Sequence, residues 1–148
     1  MRKTAVLSYK MTQADLARPD GTIPIGRQFD FIGDVETELM ILHDGDESLC
    51  LGYRDVHFFE EVYVGDEMDF KATLIKVGNT SRTCKIQSFK VATQKSRLGD
   101  KSAAPWEMEY FAEPHLVAEG VVTLVVKKEL QRGIQPDGIV KNPWIEIK

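Results

Sequence analysis

Asp34 and Glu38 stand four residues apart in "FDFIGDVETELMILHDGDESL", residues 29–49, where Phe29, Ile32, Val35, Leu39 and Leu42 recur every three or four positions. That recurrence marks an amphipathic helix laid on a core, and on a helix a spacing of four puts both carboxylates on one face. The face is expected beside the apolar stripe, which would set the pair at the lip of a pocket. Neighbouring carboxylates push their pKa values apart, so one can hold a proton while the other accepts one, the equipment for general acid–base chemistry. The plainer reading is a solvated flank of the helix.

Other chemistries have little to build on. There is no GxSxG elbow, no phosphate loop ending in Gly-Lys-Ser, no GxGxxG and no histidine pair at metal spacing. His43, His57 and His115 are scattered and are expected to be structural, and no metal site is expected. Cys50 and Cys84 lie in apolar runs without metal-ligand spacing, so both read as small core residues in a reducing compartment, the cytoplasm by default. Nineteen basic and 23 acidic residues leave a net charge of −4, the wrong sign to gather nucleic acid or an anionic membrane surface. The start "MRKTAVLSYK" has no long apolar stretch after its basic residues, and nowhere do 18 apolar residues run together, so neither export nor membrane spanning is expected.

The elements that must position these residues follow from the hydrophobic period. At 148 residues the chain fits one domain with a real core. "TAVLSYKM" reads as a strand, "QADLARPDGT" as a polar loop, and the long helix runs from about Ile25 to His43. "LCLGYRDVHFF" is strand-like, and "MDFKATLIKV" alternates Met68, Phe70, Ala72 and Leu74 on one face. The turn "GNTS" joins it to "RTCKIQSFKVA", so these two strands should pair as a hairpin. Residues 93–115 form a segment long for an ordinary connection and carry Pro105, Trp106, Tyr110 and Phe111; they read as a lid or as an arm docking on a neighbouring subunit. "LVAEGVVTLVVKK" is the last strand. The domain is expected over 1–127, with 128–148 as a polar tail. One helix wrapped by a curved antiparallel sheet, an α+β architecture, follows if the helix is too apolar for a surface.

With Gly65-Asp66 opening a strand, this element order resembles the hotdog fold of acyl-CoA thioesterases and dehydratases. Within that superfamily "GDVETELM", "DGDESL", "GYRDVHF", "VYVGD", "KVGNTS" and "KKELQRG" resemble, in order, blocks of the β-aminoacyl-CoA ammonia lyases, which act on β-alanyl-CoA and 3-aminobutyryl-CoA. Two places depart. Where that family has a His-Tyr pair followed by Gly and Asn, this chain reads "ADLARPDGTIPIG", and after "DVHF" the family's Ala-Pro is replaced by Glu60-Glu61. Both should lie near the acyl end of the pocket, so the acyl group is left open.

The resemblance implies an enzyme that eliminates ammonia from a β-aminoacyl thioester, with CoA as part of the substrate and no separate cofactor. It also implies a homodimer, assembled as a trimer of dimers into a homohexamer, and a place in amino-acid fermentation. Asp34 occupies the position that resembles the catalytic acid of hotdog thioesterases and is the first choice for base. Glu38 would tune it or bind the amine, unless it pairs with Arg27 or a lysine on the surface. "TIPIG" offers free N–H groups at Ile25 and Gly26 for the thioester oxygen, since Pro24 has none. "GNTSR", with Gly78, Asn79, Thr80, Ser81 and Arg82, concentrates donors suited to the pantetheine or phosphate part of CoA; alternatively it is an ordinary hairpin turn. Two competing classes stay open: a thioesterase with Asp34 activating water, and a non-catalytic acyl-CoA binder.

Overall fold

A computed structural model describes residues 3–133. The chain forms β1 (Thr4–Lys10), the helix α1 (Ile25–Asp44), β2 (Leu49–Phe58), β3 (Glu67–Val77), β4 (Ser81–Gln94) and β5 (Met108–Val125). All strand pairs are antiparallel, in the spatial order β1-β3-β4-β5-β2. The sheet wraps the helix as the hydrophobic period predicts. Met68, Phe70, Ala72 and Leu74 are buried on the inner face of β3, alternating with half-buried residues, and they meet Phe31, Ile32, Val35, Leu39 and Met40 of α1 in one core. Tyr9, Phe31 and Phe70 stack through it, with ring centroids 4.3 and 5.1 Å apart.

α1 starts after Pro24, whose extended backbone pre-sets the entry, and has no side-chain cap. It ends at Gly45, whose left-handed φ of 74° lets its N–H reach the Ile41 carbonyl at 2.9 Å. Close by, the buried Arg82 guanidinium clamps the buried Asp44 carboxylate with two bonds of 2.8 and 3.0 Å, fastening the helix end to the start of β4.

Three expectations change. The long 93–115 segment is irregular only from 95 to 107, because β4 runs on to Gln94 and β5 begins at Met108; Ala92, Thr93 and Gln94 pair with Tyr110, Glu109 and Met108. On the β5 side the sequence "EYFAEPH" is polar, mostly exposed and interrupted by Pro114, so the apolar run typical of a buried strand was missing. Cys84 is buried but Cys50 is exposed, since β2 is an edge strand whose first seven residues face solvent. The polar tail, expected from 128, begins with a 3-10 turn at Lys128–Leu130, and Arg132 N–H then donates to the Asp44 carbonyl; its remainder lies outside the described residues.

Candidate active site

The helix presents two chemically different faces. Asp34 and Glu38 share one of them, as their spacing requires, but it is the exposed outer face rather than the flank of the buried stripe. Neither makes a hydrogen bond or ion pair among the described residues. Arg27 is committed elsewhere, to Asp15 at 2.8 Å and Asp30 at 3.0 Å, so the surface pair with Glu38 does not form.

The carboxylate in the buried stripe is Glu36, only 4% exposed. Its Oε2 accepts the Tyr53 hydroxyl at 2.9 Å, while Oε1 is buried with no partner. Burial pushes the Glu36 pKa up to about 7 against the opposing pull of Tyr53, and burial beside Glu36 raises the Tyr53 phenol in turn. Burial and the nearby Glu36 charge also raise the Cys84 thiol to about 12, so it is no nucleophile. Glu36 lies four residues after Ile32 and three before Leu39, a spacing that puts it in the stripe.

At the start of α1 the Arg27 and Gln28 N–H groups bond the Pro24 carbonyl, whereas those of Ile25 and Gly26 find no acceptor among the described residues. Ile25, with Gly26 next along the chain, lines a cavity of about 250 Å3 together with Gln28, Phe58, Phe59, Glu60 and Glu61. Free donors at the positive end of a helix dipole suit a carbonyl oxygen that gathers negative charge. Gln28, which spacing alone also places in the buried stripe, is 2% exposed, and its Oε1 is buried without a partner.

The Gly78–Arg82 turn joins β3 to β4 as a hairpin, closed by the Gly78 N–H on the Ser81 carbonyl at 2.8 Å. Thr80 and Asn79 spend their carbonyls on Val126 N–H and the Gln131 side chain. Arg82 is corrected: besides its pair with Asp44 it donates to the Gly78 and Ser81 carbonyls, both at 3.0 Å, so its guanidinium holds the fold and is not offered to a phosphate. A larger cleft of about 540 Å3 lies between the far end of α1 and the ends of β2 and β5, but Asp46 and Glu47 outnumber Lys127 on its rim, which disfavours a phosphate.

Nine residues separate Ile25 from Asp34, roughly 13 Å along the helix axis. Within one chain, therefore, the outer carboxylates and the free N–H groups cannot act on the same carbonyl. A site using both takes one from each of two chains. Among the described residues no group of three or more His, Cys, Asp or Glu is arranged to hold a metal, and no helix is long and apolar enough to cross a membrane.

No family model matches the chain. A 3-aminobutyryl-CoA ammonia lyase from Acetoanaerobium sticklandii is 31% identical over 128 residues, covering 86% of this chain and 98% of the relative. The solved β-alanyl-CoA:ammonia lyase of Clostridium propionicum superposes with a TM-score of 0.82 at 34% identity, covering 92% of this chain and 93% of that one. A hexameric hotdog-fold thioesterase of Campylobacter jejuni, at TM-score 0.65 and 19% identity over 89% of this chain and 90% of its own, shares the fold. So does an acyl-CoA hydrolase from Staphylococcus aureus in complex with butyryl coenzyme A, at 0.64 and 14% over 89% and 68%.

Proposed function

The chain belongs to the hotdog-fold family of β-aminoacyl-CoA ammonia lyases, and from that membership we propose that it reversibly eliminates ammonia from a β-aminoacyl-CoA to give the enoyl-CoA. The observation that carries this reading is identity above 30% to two such lyases across nearly the whole chain, against 19% or less for the thioesterases named above.

The chemistry needs a base for the proton next to the thioester carbonyl, donors for the enolate oxygen and a place for the amine. Asp34 is the base in this reading, exposed and unpaired. The Ile25 and Gly26 N–H groups, taken from a second copy, hold the oxygen as negative charge develops. The carbon–nitrogen bond then breaks with its electron pair going to nitrogen. Ammonia departs and takes up the proton left on Asp34, which restores the base. Glu38 stands one turn beyond Asp34 on the same exposed face.

The second copy follows from β2. Among the described residues nothing pairs with the outer side of this edge strand, which exposes Leu49 and Leu51, 63% and 72% accessible, where a matching edge would extend the sheet. The working unit in this reading is a homodimer, with a trimer of dimers as the larger assembly, acting in the cytoplasm on a soluble CoA ester. Crotonyl-CoA incubated with ammonium tests the activity. The expected result is loss of the enoyl absorbance that depends on ammonium, with no free thiol. Thiol release without any need for ammonium would instead make the protein a thioesterase in which Asp34 activates water.

A further inference from the structure

The cavity at the start of α1 contains more than oxygen-holding donors. Resting on the lyase reading, we propose that Glu61 and Gln28 form the amine-binding end of this cavity, where the substrate's β-ammonium is held and from which ammonia departs.

Three observations point there. Glu60 and Glu61 both line the cavity, but they are not equivalent. Glu60 is engaged by the His115 ring at 3.1 Å and by Lys90 Nζ at 3.6 Å, whereas the Glu61 carboxylate makes no ion pair or hydrogen bond among the described residues. The backbone that carries Glu61 is nevertheless fixed. Lys90 Nζ donates to the Glu61 carbonyl at 2.7 Å and pairs with the fully buried Asp66 at 3.2 Å, and Asp66 takes the Thr93 hydroxyl at 2.6 Å. A free carboxylate on an immobilised turn, beside an apolar wall of Phe58 and Phe59, is a prepared cation site.

The second observation is Gln28, which lines the same cavity while its Oε1 is closed off with no donor. Which end of a side-chain amide carries the oxygen is an assignment, so rotating it by half a turn aims an acceptor at the cavity instead. In that orientation the amide oxygen, rather than the amide nitrogen, meets a cation bound in the cavity.

The third is geometry. In a β-aminoacyl thioester the nitrogen lies only a few bonds from the carbonyl carbon, so an ester whose oxygen rests on the Ile25 and Gly26 N–H groups carries its ammonium within the same cavity. About 250 Å3 is below the roughly 300 Å3 at which pockets for whole drug-sized ligands begin, and it suits a short acyl end rather than the entire coenzyme.

Titration of the Asp34→Asn protein with 3-aminobutyryl-CoA and with butyryl-CoA tests the assignment, with enoyl absorbance followed to exclude turnover. Glu61→Gln added to that background should weaken the amino ester by about fivefold and leave butyryl-CoA within about twofold. Gln28→Leu should also weaken the amino ester selectively while raising the thermal midpoint, since it removes an unsatisfied buried group. Equal losses for both esters, or none, would overturn the amine site. So would a parent protein that binds butyryl-CoA as tightly as the amino ester. A parent that binds neither ester would overturn the lyase reading itself.

Discussion

Carboxylates meet four different fates in this chain, and environment decides each. Glu36 is buried and half-satisfied, Asp44 is buried and clamped by Arg82, Glu60 is shared between His115 and Lys90, and Asp34 is exposed and unpaired. Glu36 makes a pH-dependent contribution. Its folded pKa, about 7, lies above the ordinary 4.5, so the folded state binds the proton more tightly than the unfolded chain. Its contribution is therefore fully present below about pH 4.5 and lost as pH rises through 7, a change on the order of 3 kcal/mol. Urea melts between pH 4.5 and 8 should show that decline, and Glu36→Gln should flatten it; an unchanged slope in the variant would place the titration elsewhere. Asp34→Asn keeps shape and removes the proposed base, so turnover should fall on the order of a hundredfold or more with an unaltered circular dichroism spectrum. Unchanged turnover would move the base to another carboxylate.

Among the elements, β2 carries the most unresolved surface. Its pairing with β5 shifts register twice, between Cys50 and Gly52 and between Arg54 and His57, and its other edge is bare. Tyr53 ties it to Glu36, and Phe29 packs edge-on against both Tyr53 and Phe58 at 5.1 and 6.0 Å, so the strand is anchored to α1 at the end nearest the proposed acyl cavity. Edge strands that expose large apolar side chains are templates for pairing, and a charge on such an edge blocks it. Leu51→Lys should therefore convert the assembled protein to monomer by light scattering at micromolar concentration, and lose turnover with it. A variant that stays assembled would show that the edges do not meet through this strand.

For the whole molecule, the separation of Asp34 from the Ile25 N–H makes activity, in the proposed mechanism, a property of two chains. Ile25→Pro removes that donor at a position where proline is tolerated, and Pro24 before it is already extended at ψ 147°. Protomers carrying Asp34→Asn and protomers carrying Ile25→Pro should each be inactive alone. Unfolded together and refolded in equal amounts, they should regain about a quarter of wild-type activity, because half the random dimers are mixed and each mixed dimer holds one intact site. No recovery would mean that both groups act within a single chain. The layout of helix, strands and the β3–β4 hairpin was legible in the sequence, since hydrophobic period and turn chemistry are set by residues a few positions apart, as the alternation from Met68 to Leu74 illustrates. Family membership was legible for a related reason, as ordered blocks spread along the chain. Whether a given charge is free, paired or buried was not, because Glu36 meets Tyr53 17 residues away, Asp44 meets Arg82 38 away and Glu60 meets His115 55 away. Folding sets those meetings, and they decide that Arg82 is structural, that the Glu36 pKa rises toward 7 and that, among the described residues, Asp34, Glu38 and Glu61 have no partner.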